Sequence, residues 1–227
     1  MDLPPPTKID DILIYDNFLS PEYLDYLQQF FIYSGKVDYK ICLNSYVDSV
    51  SREDLYDDIF NCQVVKILCR LPQGVDDDFY TMTPFISIMP FMWRCKVNCI
   101  FPSETENKRM GNHTDLPQMD GYDPYYSAIM YLNDSDGPTE IKNMDTGEIV
   151  QVECKENRFM AFPGHFKHTG HTPTNTKARF LINFVFFGNF HPDLMGQACR
   201  LPNFPWSPRN KSETESMESW GWSPPGQ

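Results

Sequence analysis

Hydrophobic positions change their period along this chain. In the first third they recur at helical spacing. From Arg94 onward they come in short runs or alternate with polar residues, as strands do. Ile12–Phe18, Ile-Leu-Ile-Tyr-Asp-Asn-Phe, reads as an opening strand. Ser20-Pro21-Glu22 then has the form of a helix start, with Ser at the N-cap and Pro at the first helical position. Tyr23, Leu24, Leu27 and the Phe30/Phe31 pair continue that helix. A second helix is expected over about Glu53–Leu71 and a short third near Pro84–Met89. Strands are expected over Arg94–Phe101 and Ser127–Leu132, on both sides of the turn Asp145-Thr146-Gly147, over Arg158–Phe162, over about Phe166–His171 and over Arg179–Phe187. The segment Thr172–Thr176 supplies turn chemistry between the last two. Helices in front of a mostly antiparallel sheet make an α+β order.

The last of these strands carries an oddity. Alternation puts Arg179, Leu181, Asn183 and Val185 on one face and Phe180, Ile182, Phe184 and Phe186 on the other. The phenylalanine face should pack on the helices, which turns the arginine face inward. A buried guanidinium is costly unless it meets an anion. That anion could be a carboxylated co-substrate held by a two-pronged pair, or an acidic side chain of another strand. Upstream stands His113-Thr114-Asp115. Side chains at i and i+2 of an extended segment point the same way, so His113 and Asp115 can hold one metal ion together. A further histidine would complete two imidazoles and one carboxylate, a facial set suited to non-haem Fe(II). His165, His168 and His171 all compete for that place. A lone His-x-Asp is weak; the ordered series of pair, distant His and buried Arg is what gives it weight.

That series resembles the 2-oxoglutarate/Fe(II)-dependent oxygenase superfamily, in particular its prolyl-4-hydroxylase-like branch, over about Arg94 to Phe187. Besides His113 and Asp115, the resemblance is carried by Arg94-x-Lys96-x-Asn98, Ala128-Ile-Met-Tyr-Leu-Asn-Asp134, Asp136-Gly-Pro-Thr-Glu140, Asn157-Arg-Phe-Met-Ala-Phe-Pro163, His168-Thr-Gly170 and the Arg179 strand. It implies a double-stranded β-helix, a jelly-roll core with N-terminal helices packed on the major sheet. It implies Fe(II) on His113, Asp115 and His168. It also implies 2-oxoglutarate with its far carboxylate on Arg179, O2 as co-substrate and ascorbate as a reductant. The 11 positions from His168 to Arg179 match the spacing typical of this family and favour His168, with His171 the main rival. By position, Asn98, Tyr131 and Asn183 are candidates to line the co-substrate pocket, whereas Arg94 reads as part of a solvated strand face. The implied activity is a dioxygenase that hydroxylates an unactivated C–H bond in a peptide, protein or small molecule, a peptidyl proline among them. The carboxylate of Asp115 fills the place that halogenating relatives leave to chloride, which disfavours halogenation. One departure stands out: the usual Gly-Gly-Thr is Gly137-Pro138-Thr139 here, read as an altered loop on the substrate side. Two other readings use the same residues. One is an iron- and 2-oxoglutarate-binding module or sensor without hydroxylation. The other is a non-oxygenase metalloenzyme on the same barrel, which would not need Arg179.

Composition narrows the setting. The 227 residues, 41% of them hydrophobic, can bury one sizeable core. The reading is one structural domain in three parts: a supporting strand and helices over 1–90, a catalytic core over 91–188 and an extended tail over 189–227. The net charge of -12 comes mainly from the front, with 15 acidic against 6 basic residues in 1–88 and 16 against 13 thereafter. A broad acidic surface argues against nucleic acid and anionic membranes as partners. Seven cysteines at irregular spacing include no Cys-x-x-Cys pair, so reduced thiols in a cytoplasmic protein are expected, with Cys95 and Cys99 as packing residues. The opening Met-Asp-Leu-Pro-Pro-Pro lacks the pattern of a signal peptide.

Overall fold

The computed structural model describes residues 5–40, 63–71, 73–89, 91–116, 125–188 and 190–192. The front of the expected second helix, residues 53–62, and the tail from residue 193 lie outside the described residues. The chain opens with a hairpin, β1 (Thr7–Ile9) and β2 (Ile12–Tyr15). Helix α1 (Pro21–Gln28) follows, and the Ser20 hydroxyl accepts from the Tyr23 amide, as its N-cap position requires. A π-helical turn, Gln29–Tyr33, extends it. Next come β3 (Gln63–Arg70), β4 (Gly74–Val75), a 3₁₀ helix (Asp77–Met82), α2 (Thr83–Ile88) and β5 (Phe91–Ile100). The rest is strand: β6 (Tyr125–Tyr131), β7 (Ser135–Lys142), β8 (Ile149–Cys154), β9 (Phe159–Pro163), β10 (Lys167–Gly170) and β11 (Arg179–Phe187).

One expected helix is corrected. Gln63–Arg70, the back of the segment read as helical, is strand β3 and pairs antiparallel with β5. The run Gln-Val-Val-Lys-Ile-Leu-Cys-Arg fits either period. Its β-branched residues and the ladder offered by β5 decide for strand. The Gly137-Pro138-Thr139 departure is also not a loop. It lies inside β7, where the pairing with β8 slips between Ser135 and Thr139. Pro138 has no amide to give to a ladder, and an irregularity is where a strand tolerates that. Gly137 has a packing reason too, since a Cβ there would lie 2.5 Å from the His171 carbonyl oxygen.

The strands form an eight-stranded sheet in the order β1-β2-β9-β6-β11-β5-β3-β4 and a three-stranded sheet in the order β10-β7-β8, all paired antiparallel. The front strands therefore belong to the same sheet as the core strands. Two apolar layers hold the fold together. Outside the major sheet, Tyr23, Leu27 and Phe31 join Phe85 and the outward phenylalanines Phe184 and Phe186. Phe18 stacks on Phe159 at 4.3 Å, and Phe85 lies 4.6 Å from Phe184. Between the sheets, Leu181 meets Ile129, Ile141, Met160 and Phe166. The two faces of β11 thus part as their alternation requires, and the inward face delivers Arg179 and Asn183 to the space between the sheets. No helix among the described residues is long and apolar enough to cross a membrane.

Candidate metal and co-substrate site

The site grows out of one backbone pairing. The His113 amide donates to the His168 carbonyl at 3.0 Å, and the His168 amide returns the bond at 2.8 Å. Such a reciprocal pair sets two side chains beside each other. The imidazoles stand 4.5 Å apart between centroids. Asp115, two residues beyond His113, completes the group: one ligand atom from each of the three residues lies within 4.8 Å of the others. Each Nε2 faces the carboxylate, His168 at 3.6 Å and His113 at 4.0 Å. Nδ1 of His113 lies 3.0 Å from the Gly111 carbonyl, which suits a proton on Nδ1 and puts the ligating lone pair on Nε2, the atom that faces Asp115. Of the rival histidines, His171 turns its ring toward the Pro138 carbonyl, and His165 is exposed beside Asp145.

Asp115 is gripped from three sides. Ser127 donates to Oδ2 at 2.7 Å and Asn183 to the same oxygen at 3.0 Å. Arg94 pairs with Oδ1, donates to the Asp115 carbonyl and also donates to the Asn183 amide oxygen at 2.9 Å. The reading of Arg94 as a solvated residue is therefore corrected: its side chain is 15% exposed and serves as the counter-ion of a carboxylate that is 1% exposed. Burial alone would push the Asp115 carboxyl up. Arg94 first, then the other neighbours, hold it well below the usual carboxylate range. Burial, with His168 next, pushes His113 down to about 3, and burial also lowers His168. Two neutral imidazoles and one ionised carboxylate are a donor set that fits a divalent transition metal. Asn183 thus acts on Asp115, and Arg94 and Ser127 join it. Alternation placed Arg94 on one face with Lys96 and Asn98, but neither its burial nor its partner 21 residues away was legible in the sequence.

Arg179 lines the same cavity, which opens to solvent. It is fully buried. Its Nη2 donates to the Thr139 hydroxyl at 2.6 Å and its Nη1 to the His171 carbonyl at 3.4 Å, while Nε has no partner. Among the described residues no carboxylate pairs with it. A guanidinium buried this way fits a carboxylate ligand. Asn98 also lines the cavity, with a buried Oδ1 that has no partner. Tyr131 stands beside Arg179. Its hydroxyl donates to Thr139, its ring lies 5.4 Å from the Arg179 guanidinium, and burial raises its phenol to about 12. It braces Arg179 from behind. Thr139 and Gly170 were missed as site residues. A Cβ on Gly170 would lie 2.7 Å from Nη1 of Arg179, so the absence of a side chain there makes room for the guanidinium. Lys96 lines the cavity as well.

A prolyl hydroxylase from Trichoplax adhaerens, in complex with a hypoxia inducible factor oxygen degradation domain peptide fragment, aligns over 86% of this chain and 88% of its own, at 18% identity and a TM-score of 0.53. A 2OG-Fe(II) oxygenase family oxidoreductase from Burkholderia pseudomallei aligns over 81% and 87%, at 10% identity and 0.53. The non-haem alpha ketoglutarate dependent epimerase SnoN of nogalamycin biosynthesis aligns over 86% of both chains, at 13% identity and 0.53. The fold is that of the 2-oxoglutarate/Fe(II)-dependent oxygenases. At these identities the likeness speaks for the fold alone. No protein-family model and no curated protein sequence matches the chain.

Proposed function

We propose that the protein is an Fe(II)- and 2-oxoglutarate-dependent dioxygenase that hydroxylates an unactivated C–H bond. The observation that carries this is Arg179: a fully buried guanidinium without a described carboxylate partner, in the cavity that His113, Asp115 and His168 also line. In this reading Fe(II) sits on those three side chains, and the far carboxylate of 2-oxoglutarate reaches Arg179. When bound, the iron and co-substrate supply the oxidative chemistry, with succinate and CO2 as by-products of O2 use. The chain's own residues do the placing. Ser127, Asn183 and Arg94 fix the Asp115 carboxylate, and the His113–His168 backbone pair fixes both imidazoles. Tyr131, Thr139 and Gly170 hold Arg179 in one pose. Asp115 occupies the coordination place that a halogenating enzyme needs for chloride. A peptidyl residue, proline among them, is the proposed substrate class; the peptide in the Trichoplax complex supports it. SnoN, solved with Fe3+ and alpha ketoglutarate, supports the cofactor pair.

The test is succinate release from 2-oxoglutarate in the presence of peptide and amino-acid pools, with mass detection of products. A product heavier by one oxygen is expected, and it should vanish in His168→Ala and Arg179→Met. Succinate release with a product of unchanged mass, as an epimerase would give, sinks hydroxylation. Failure of the metal-loaded protein to bind 2-oxoglutarate sinks the whole reading.

A further inference from the structure

The backbone ladder that sets the ligands side by side ends before the third of them. His113 exchanges two hydrogen bonds with His168, but among the described residues Thr114, Asp115 and Leu116 make no backbone–backbone hydrogen bond. The direction of Asp115 therefore depends on side chains that hold this stretch. Arg94 donates to the Asp115 carbonyl, and the Thr114 hydroxyl donates to the Leu116 carbonyl at 2.9 Å. A further hold comes from Tyr125, the first residue of β6. Its hydroxyl donates to the Leu116 carbonyl at 2.8 Å and accepts from the Leu116 amide at 3.3 Å. Tyr125 shares the inward face of β6 with Ser127, the donor to Asp115, and lies beyond it on the side away from Tyr131. The same residue reaches the segment that carries His168. Its carbonyl accepts from the Gly164 amide at 2.8 Å, and its ring covers Gly164 so closely that a Cβ there would overlap it. Gly164 follows the end of β9 at Pro163 and opens the turn into β10, where His168 stands.

We propose that Tyr125 is a positioning residue for the metal site: one side chain joins the stretch leaving Asp115 to the turn leading into His168. The spacing of the carboxylate and the second imidazole then depends on the Tyr125 hydroxyl and on the missing side chain at Gly164. This rests on the metal ligands of the function proposed above and adds Tyr125 and Gly164 to it. Neither touches the metal; both act through the backbone that carries the ligands. A metal ion needs its donors at fixed distances from one another, and a donor that samples other directions binds it more weakly. Without the hydroxyl, the Leu116 amide loses its described partner and the Leu116 carbonyl keeps Thr114. The stretch is then freer to turn, and Asp115 spends less time facing the two imidazoles. A tyrosine that served only the packing against Gly164 and the Phe187 ring would act through its own ring, which phenylalanine keeps.

The experiment uses the full chain, with Mn(II) for affinity by calorimetric titration and Co(II) for its visible absorption bands, which report coordination geometry. Tyr125→Phe should bind Mn(II) about 10-fold more weakly than the wild type, the lower end of what groups behind a metal ligand contribute. Its Co(II) bands should shift in position or intensity, while the Tm of the metal-free protein falls by no more than about 4 °C. Gly164→Ala drives the ring off the glycine and should give an altered Co(II) spectrum of the same kind. Because both changes break one link, the double variant should bind Mn(II) no more weakly than the weaker single variant. Tyr126→Phe, on the opposite face of β6 and stacked on Phe186, is the control and should leave affinity and spectrum as in the wild type. Should Tyr125→Phe fail to fold, Gly164→Ala gives both readings. A lowered Tm with unchanged Mn(II) affinity and Co(II) spectrum makes Tyr125 a packing residue and overturns the inference, as do additive losses in the double variant. A wild type that binds Mn(II) and 2-oxoglutarate, with Tyr125→Phe indistinguishable from it, leaves the proposed function standing and removes only this residue's part. No metal binding by the wild type removes both.

Discussion

Arg179→Met is the most discriminating single change, because it asks whether a buried charge exists for the structure or for a ligand. The substitution keeps an apolar stem and removes the guanidinium. On the ligand side, a carboxylate loses up to two charge-assisted hydrogen bonds, each worth roughly 1.5–3 kcal/mol. At 1.4 kcal/mol per decade, the affinity for 2-oxoglutarate should fall by about 100-fold or more. On the stability side, the metal-free protein loses the 2.6 Å bond to Thr139 and the contact with the Tyr131 ring. Thr139 and Tyr131 still hold each other at 2.7 Å, so neither is stranded. Against these losses stands relief from a desolvated cation without a described counter-ion, worth several kcal/mol. The terms oppose each other, so the net change should stay within about 1 kcal/mol, a Tm shift of roughly 4 °C or less. Calorimetric titration of the Mn(II)-loaded variant with 2-oxoglutarate and thermal unfolding without ligand read the two sides separately. Retained 2-oxoglutarate affinity together with a Tm drop beyond about 8 °C would refute the reasoning and make Arg179 a structural residue.

Other changes test the supports. Arg94→Met leaves Asp115 buried without its counter-ion; metal affinity should fall about 10- to 100-fold and stability by roughly 3 kcal/mol, read by Mn(II) titration and thermal unfolding, and a neutral outcome would return Arg94 to a solvated role. Gly170→Ala places a Cβ against the Arg179 guanidinium and should weaken 2-oxoglutarate by about 10-fold while leaving Mn(II) affinity near the wild type. The metal-free protein should lose stability as pH falls from about 6.5 toward 3. Burial lowers the His113 and His168 pKa values on folding, so between those values the unfolded chain binds more protons; a His113→Gln variant should flatten this slope in unfolding curves taken at pH 7 and pH 5. Reductant should leave the Tm within about 2 °C, because the described Cys69, Cys95, Cys99 and Cys154 are buried free thiols.

Local periodicity sufficed wherever a residue's neighbours in sequence settle its state. The strand Arg179–Phe187 keeps its expected bounds, since a short apolar run rich in phenylalanine, with Ile182 and Val185, after the turn residues Thr172–Thr176 reads as a buried strand. The Ser20 cap and Pro21 start are equally local, as backbone dihedrals and one hydroxyl define them. The i and i+2 spacing of His113 and Asp115 and the inward face of Arg179 were legible for the same reason. Residues 63–70 were not, because an apolar run of mixed spacing suits both periods until a neighbouring strand offers its hydrogen bonds. Local periodicity could not choose among His165, His168 and His171; the choice of His168 came from the resemblance and its 11-position spacing to Arg179. His168 stands beside His113 because their backbones exchange two hydrogen bonds although the residues are 55 positions apart in the chain. Arg94 finds Asp115 and Asn183, and Tyr131 turns to Thr139 and Arg179, through register between strands distant in sequence. The sequence by itself determined the periods of the elements, the faces of the strands and the chemical types available to the site. Only the tertiary structure decided which side chains meet, because partnership between strands depends on register, and a shift of one residue would send every one of these groups to the opposite face.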